Sequence, residues 1–279
     1  MELQKRPLGK TGVDVTIVGL GGEGILRTFG YEEGAYELIN HAIDLGINYF
    51  ESARAYSGSE SYYGLALKER RKDIFLASKS HERTKRGALL HLTETLKNME
   101  TDHLDLWQVH DVRTDDDVEA IFASGGAIEA FSYAKETGKV RFIGVTGHHD
   151  PDIIAKCLEL FDFDTVLIPV NPAEHVHKSF IDKVIPLALS KNMGIIAMKV
   201  YIRGFLARLP WYNSMEPFLR FALTYPVSTA VVGCDDTEQL KQNVQFATAF
   251  TPMGHTELKT LIELLTPYAR KLMYYKPLK

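Results

Sequence analysis

Residues 48–60 read Asn48-Tyr49-Phe50-Glu51-Ser52-Ala53-Arg54-Ala55-Tyr56-Ser57-Gly58-Ser59-Glu60. This stretch places a carboxylate and a phenol just beyond a short apolar run. Residues 47–50 predict a buried strand, so Glu51 and Tyr56 lie past its end. In a chain that alternates strands and helices, catalytic groups collect just beyond the C-terminal ends of the strands. We therefore expect chemistry at Glu51 and Tyr56.

Two further ionisable residues close the next two apolar runs. Lys79 follows the run at 74–78, and His110 follows the run at 104–109. Each residue alone has an ordinary alternative: a packing tyrosine at 56, a surface lysine at 79 or a hydrogen-bonded core histidine at 110. Their joint occurrence at successive strand ends favours one shared active site at that end of the fold.

This ordered set resembles the aldo-keto reductases, whose motif runs Asp-Thr-Ala, then Tyr after two more residues, then Gly-x-Ser-Glu, with Lys and His on successive strands. The resemblance extends from a hairpin-like opening at 6–12 to residues 233–243. It implies a catalytic set that consists of Tyr56, Lys79, His110 and Glu51. Glu51 stands where the family has Asp, so the longer carboxylate must retract or move Lys79.

The alternation of strands and helices predicts an α/β fold, namely a (β/α)8 TIM barrel with an N-terminal β-hairpin and an extra C-terminal helix. Residues 1–279 are expected to form a single domain. Strands are expected at 16–20, 47–50, 74–78, 104–109, 139–145, 165–168, 194–198 and 228–232. Helices are expected at 32–45, 59–70, 84–99, 179–191, 215–224, 235–247 and 257–265, and two more begin at 114 and 150. Ser59 is the expected N-cap of the second helix, and the acidic start at 114–117 favours a helix cap over a metal site.

The composition narrows the classes of partner. A net charge of −4 provides no global basic field, so nucleic acid and anionic membranes are not expected partners, whereas small molecules are. Cys157 and Cys234 make no disulfide framework, and the N-terminus lacks the apolar core of a signal peptide. The expected compartment is the cytoplasm.

The catalytic set can protonate a carbonyl oxygen but supplies no hydride. A nicotinamide cofactor is therefore required, with NADP (NADPH) expected and NAD (NADH) as a second option. A Rossmann mode of binding is not expected, so barrel loops must bind the cofactor. Gly21 and Gly22 lie in a glycine-rich stretch at 21–24, which is either a flexible turn or a close approach to a ligand. The resemblance favours cofactor contact.

Further cofactor contacts come from the resemblance. Thr146 and Gly147 occupy the place of the family's Ser-Asn pair, which holds the carboxamide. Met198 stands where many members stack an aromatic residue on the nicotinamide, although a barrel-core methionine is an equal alternative. Lys199 and Arg203 follow the seventh strand and are within reach of the pyrophosphate, while a solvated surface position suits Arg203 equally well.

Residues 231–243 resemble the family's adenosine-phosphate segment, in which a strand leads into a helix N-terminus. The residues carried over from the family are Gly233, Gln239, Gln242 and Asn243. Without the resemblance, a helix cap at Asp235 or Asp236 is the simpler interpretation.

These residues imply an oxidoreductase that transfers hydride between a nicotinamide cofactor and an aldehyde or ketone. Tyr56 is the expected general acid/base, and the Lys79 ammonium is expected to lower the pKa of its phenol. Glu51 is expected to keep Lys79 protonated, and His110 is expected either to orient the carbonyl or to share the proton. No residue is assigned as a metal ligand.

Two other functions have some support. A metal-dependent TIM-barrel hydrolase would use His148, His149 and Asp150 together with His175 and His177, but the histidine pair on the first strand is missing. A nicotinamide-binding sensor with little turnover is suggested by the departures at Glu51 and Met198.

Overall fold

The computed structural model describes residues 2–276. Lys5–Pro7 (β1) and Asp14–Thr16 (β2) form an antiparallel hairpin. Leu8 and Val15 are fully buried and pack against residues of the barrel interior. A backbone bridge from Gly9 to Met193 fixes the hairpin beside the start of a barrel strand. The hairpin therefore closes the N-terminal end of the barrel, as the sequence predicts.

Eight parallel strands form a closed barrel in which the last strand pairs with the first. They are Val18–Gly24 (β3), Tyr49–Glu51 (β4), Phe75–Ser80 (β5), Leu104–Val109 (β6), Val140–Thr146 (β7), Thr165–Pro169 (β8), Gly194–Met198 (β9) and Thr229–Cys234 (β10). The predicted barrel is confirmed. Because every strand is parallel to its neighbours, the residues that follow the strands gather at one end.

Helices follow the strands and cover the outside of the barrel. They are Glu32–Asp44 (α1), Ser59–Leu67 (α2), Lys85–Asn98 (α3), Asp115–Phe122 (α4), Ala127–Glu136 (α5), Pro151–Leu160 (α6), Phe180–Ser190 (α7), Glu216–Thr224 (α8), Thr237–Thr248 (α9), His255–Leu265 (α10) and Ala269–Leu272 (α11). Short 3-10 helices lie at Ile25–Arg27, Lys68–Asp73, Pro172–Val176, Ile202–Arg208 and Thr266–Tyr268. Within residues 2–276, no helix has both the length and the apolar character that crossing a membrane requires.

The core has two layers. A small cluster fills the barrel interior, with Tyr49 stacked on Phe75 at a centroid distance of 5.5 Å. The larger cluster lies between the strands and the surrounding helices, where Trp107 stacks on Phe131 at 3.7 Å. Strands buried on both faces read as nearly continuous apolar runs, which is why the sequence predicts most of them closely.

The first barrel strand differs from its expected range of 16–20. Thr16 belongs to the hairpin, where it pairs with Lys5, so β3 begins at Val18. The glycine-rich stretch, for which a flexible turn is one of two alternatives, extends β3 to Gly24, which pairs with Cys234. A Cβ on Gly24 would lie 2.4 Å from the Cys234 carbonyl oxygen, so only glycine allows this pairing.

Two local expectations also change. Ser59 is the first residue of α2, and Gly58 is the N-cap. The Ser59 hydroxyl accepts a 2.7 Å hydrogen bond from the Ser52 hydroxyl instead of capping the helix. The helix that begins after Thr114 ends at Phe122, and a second helix, α5, precedes the next strand. Thr114 forms a capping box with Asp117, which confirms the capping interpretation of the acidic run.

Candidate active site

Glu51 and Lys79 lie at the C-terminal ends of adjacent strands. Lys79 Nζ is 2.7 Å from Glu51 Oε1 and donates a hydrogen bond of 2.9 Å to the Ser52 carbonyl. The Lys79 side chain is 1% exposed and the Glu51 side chain is 5% exposed. Burial lowers the pKa of Lys79, and the Glu51 carboxylate opposes that shift. The extra methylene of glutamate therefore does not prevent the expected ion pair, although Glu51 Oε2 has no partner among the described residues.

Tyr56 lies in the loop after β4, and two cations lie close to its ring. Lys79 Nζ and the Arg27 guanidinium carbon are each 4.9 Å from the ring centroid. Burial raises the pKa of Tyr56 well above 10, as does Glu51, while Arg27 and Arg203 lower it. We expected Lys79 to lower this pKa. The net shift of the Tyr56 pKa has the opposite sign because the free-energy cost of removing the phenolate from water exceeds its stabilisation by the nearby cations.

His110 follows β6 directly, and its backbone N–H donates to the Ser80 carbonyl at 2.8 Å. Its ring meets the Tyr56 ring edge-on, with the centroids 5.9 Å apart. Burial, followed by the Lys79 charge, lowers the pKa of His110 well below 6.5. The imidazole is therefore neutral at neutral pH, and its Nδ1 has no partner among the described residues. All four expected catalytic side chains thus lie at one end of the barrel.

A cavity of about 840 Å³ opens beside Glu51 and Tyr56. Its volume is in the range of small-molecule and cofactor sites. Nine of the expected cofactor residues line it: Gly21, Gly22, Met198, Lys199, Arg203, Gly233, Gln239, Gln242 and Asn243.

Gly22 has a packing role as well. A Cβ at Gly22 would lie 2.5 Å from Ser59 Oγ and 2.8 Å from the Glu51 carbonyl oxygen. A Cβ on Gly21 would make only ordinary contacts. Gly22 therefore allows β3 to lie directly against the strand end that carries Glu51.

Thr146 and Gly147 do not line this cavity. The Thr146 hydroxyl accepts a 3.0 Å hydrogen bond from the Asp111 backbone N–H. A Cβ on Gly147 would lie 2.4 Å from Ile154 Cδ1, so this position is tightly packed. The structure therefore gives both residues structural contacts, and their role toward a carboxamide stays a prediction.

Lys199 and Arg203 follow β9, and both have a positive φ, +54° and +53°. Burial lowers the pKa of Lys199 to about 8, and Nζ lies 3.4 Å from the Tyr274 hydroxyl. Arg203 pairs with Glu23 at 3.3 Å while its side chain is still 49% exposed. Both cations therefore border the cavity, where they can bind an anionic group.

The start of α9 provides the far wall of the cavity. Asp236 caps this helix by accepting a 2.8 Å hydrogen bond from the Gln239 backbone N–H, which confirms the capping alternative. Asn243 Oδ1 accepts a 2.6 Å hydrogen bond from the Tyr201 hydroxyl, and Asn243 Nδ2 donates to Cys234 Sγ at 3.4 Å. Asn243 therefore positions Tyr201, another residue of the cavity wall.

Sequence reasoning missed Arg27 and Tyr274, which also line the cavity. Tyr274 reaches it because the C-terminal segment is anchored by Lys276, whose Nζ is 2.6 Å from Glu174 Oε2. Both side chains of this ion pair are almost fully buried. No motif in the sequence marks Arg27 or Tyr274, since each depends on contacts between distant segments.

The histidines of the hydrolase alternative do not assemble a metal centre. His148 lies 3.4 Å from Asp111, His149 contacts the Tyr275 carbonyl at 3.2 Å, and His175 contacts the Tyr225 hydroxyl at 2.8 Å. Within residues 2–276, none of them belongs to a group of three metal-ligating side chains.

Comparison with known proteins agrees with this architecture. The model of the aldo/keto reductase family matches residues 17–217. An L-galactose dehydrogenase of Arabidopsis thaliana is 27% identical, with 94% of this chain and 93% of that protein covered.

Solved structures share the fold. The holo form of an aldo-keto reductase from Bacillus halodurans is 24% identical, with a TM-score of 0.79 over 94% of this chain and 96% of that one. An aldo-keto reductase from Klebsiella pneumoniae in complex with NADPH is 18% identical, with a TM-score of 0.77 over 95% and 96%. Since the family model spans most of the closed barrel and the strand ends that carry Glu51, Lys79 and His110, this chain belongs to the aldo/keto reductase family of oxidoreductases.

Proposed function

We propose that the protein reduces the carbonyl group of an aldehyde or ketone with NADP(H) as the hydride donor, and that Tyr56 donates the proton. The observation that carries this proposal is the position of the Tyr56 phenol. It borders the 840 Å³ cavity, close to the Lys79 and Arg27 cations and edge-on to the His110 ring. The same groups serve the reverse reaction.

The residues around the cavity suit a dinucleotide. Lys199 and Arg203 offer cations for a pyrophosphate, and the start of α9 offers backbone N–H groups. Met198 lies on the wall beside Tyr56 and offers an apolar face to the nicotinamide ring. The NADPH complex of the Klebsiella pneumoniae relative supports the choice of NADP(H).

The protonation states favour Tyr56 over His110 as the donor. The pKa of Tyr56 is raised by burial, so the phenol keeps its proton at neutral pH. The pKa of His110 is lowered by burial, so the imidazole is neutral and suited to a hydrogen bond with the carbonyl oxygen. These states support proton donation by Tyr56 and orientation of the carbonyl by His110.

Proton transfer follows from this arrangement. A bound nicotinamide would supply hydride to the carbonyl carbon, which would leave an alkoxide oxygen to be protonated. The phenol O–H bond breaks as a new O–H bond forms on the alkoxide, leaving a phenolate at Tyr56. Lys79 and Arg27, each 4.9 Å from the ring centroid, stabilise that phenolate, and solvent returns the proton. Glu51 keeps Lys79 in place.

A screen of aldehydes and ketones with deuterium-labelled NADPH tests the proposal. We expect cofactor oxidation coupled to loss of the carbonyl, with deuterium on the carbinol carbon. Binding of NADPH without oxidation across a broad panel would overturn the proposal and favour the sensor alternative.

A further inference from the structure

Three side chains with metal-ligating atoms meet beside β5, outside the cavity. His81 and Glu82 follow β5 directly, and His91 lies on α3, the next helix. One ligand atom from each residue lies within 4.8 Å of those of the other two. The His81 and His91 rings are 4.7 Å apart between centroids.

His91 is held by its other ring nitrogen. Its Nδ1 is 2.9 Å from Ser80 Oγ, while its Nε2 faces Glu82 Oε1 at 3.9 Å. In the tautomer that donates from Nδ1 to Ser80, Nε2 carries the free lone pair that binds a metal. Protein-bound metals usually have histidine ligands whose second nitrogen is held in this way.

The carboxylate of Glu82 has a specific place in the cluster. A Cβ on Gly87 would lie 2.1 Å from Glu82 Oε2 and 2.7 Å from Cδ, so the absence of a side chain at Gly87 makes room for the carboxylate. The neighbouring Arg83 is directed elsewhere, with Nε 2.9 Å from Asp117. Among the described residues, no lysine or arginine forms an ion pair with Glu82.

We propose that His81, Glu82 and His91 bind one divalent transition-metal ion of the zinc class, with a fourth position open to water. Two imidazoles and one carboxylate form a donor set typical of Zn²⁺, whereas Mg²⁺ and Ca²⁺ prefer oxygen ligands alone. The ion would lie at the end of the barrel that carries Tyr56, but outside the cofactor cavity.

Binding requires a small closure of the three side chains. Two atoms at about 2.0–2.1 Å from one tetrahedral zinc ion are separated by roughly 3.4 Å. The three ligand atoms lie within 4.8 Å of one another, so the widest pair must approach by at most about 1.4 Å. Because the His81 side chain is exposed and the Glu82 side chain is half-exposed, both can rotate toward a bound ion.

Titration of untagged, chelator-treated protein with Zn²⁺ in a calorimeter, and with Co²⁺ by visible absorption, tests the site. We expect one ion per chain and the absorption of a four-coordinate Co²⁺. His81→Ala should weaken binding at least about tenfold. Because His81 is exposed, this substitution should leave the fold and its melting temperature unchanged. Gly87→Ala should also weaken binding, because its methyl group displaces Glu82.

The matched control is His103→Gln, which removes an exposed histidine 2.6 Å from Asp102. That pair has two ligand groups rather than three, so this substitution should leave the zinc affinity unchanged. The proposal is overturned if wild-type protein binds no Zn²⁺, if His81→Ala binds it as tightly as wild type, or if His103→Gln loses the ion equally.

Discussion

Lys79 Nζ lies 2.7 Å from Glu51 Oε1, with both side chains almost fully buried at the ends of adjacent strands. Glutamate is one methylene longer than the aspartate of the family, yet the opposite charges still meet. Lys79 also donates to the Ser52 carbonyl, so its ammonium group is held from two directions. The pair therefore provides a fixed positive charge beside the Tyr56 ring.

Glu51→Gln should reduce turnover and thermal stability more than Glu51→Asp. The amide keeps the size but leaves the buried ammonium without a counter-charge, and removing one partner of a buried ion pair costs about 3–5 kcal/mol. Aspartate keeps the negative charge, and its side chain is only one methylene shorter. Turnover numbers and melting temperatures of the two variants provide the check. If glutamine is tolerated as well as aspartate, Glu51 has a structural role only.

Tyr56→Phe should keep cofactor binding and lose about a hundredfold or more in turnover, because the proton donor is removed. Cofactor affinity from fluorescence and turnover from NADPH oxidation separate the two effects. Tyr63→Phe is the control, since its hydroxyl contacts the Leu20 and Glu51 carbonyls at 3.4 and 3.3 Å and lies outside the cavity lining. Near-normal turnover of Tyr56→Phe would remove this residue from the mechanism.

Affinity for NADPH should fall as the pH rises above about 8, the value to which burial lowers the pKa of Lys199. The sign follows because Lys199 carries its charge below this pKa and attracts phosphate, whereas above it the neutral amine does not. Dissociation constants measured from about pH 7 to about pH 10 provide the test. This range runs from roughly one unit below the lowered pKa of Lys199 to roughly two units above it. Lys199→Arg should flatten the profile, because arginine stays protonated throughout this range. An unchanged slope in that variant would assign the pH dependence to another group.

Discrimination between NADPH and NADH should be weak, under about a hundredfold in kcat/KM. At the start of α9, Asp235 lines the cavity, and Lys241, the nearest cation in the sequence of this segment, already pairs with Glu238 at 2.6 Å. The carboxylate opposes a 2′-phosphate and the paired lysine offsets only part of this. The measurement is the ratio of kcat/KM for the two cofactors with one carbonyl substrate at fixed ionic strength. A ratio in the thousands would mean that a basic residue from elsewhere binds the phosphate.

Lys276→Met should lower the melting temperature, because it leaves the Glu174 carboxylate buried without its counter-ion at a cost of about 3–5 kcal/mol. It should also raise KM, since Lys276 anchors the segment that places Tyr274 on the cavity wall. The double variant Lys276→Met with Glu174→Gln should recover part of the stability. Calorimetry and steady-state kinetics measure the two effects, and an unchanged melting temperature for the single variant would contradict the anchoring role.

The sequence predicts the barrel well where strands are apolar and buried on both faces. The expected ranges 104–109 and 194–198 coincide with β6 and β9. The first strand is less well predicted, because the boundary between β2 and β3 depends on the pairing of Thr16 with Lys5. Strand pairing is a contact between segments, and periodicity within one segment does not encode it.

The sequence by itself determined the order of the barrel strands and the positions of Glu51, Lys79 and His110 at strand ends, because periodicity and spacing are local properties of the chain. Only the tertiary structure decided that burial raises the pKa of Tyr56 and that Arg27 lies over its ring. It also decided that Tyr274 joins the cavity wall. Desolvation and cation contacts depend on which distant segments exclude water from a group, and that arrangement exists only after the barrel has closed.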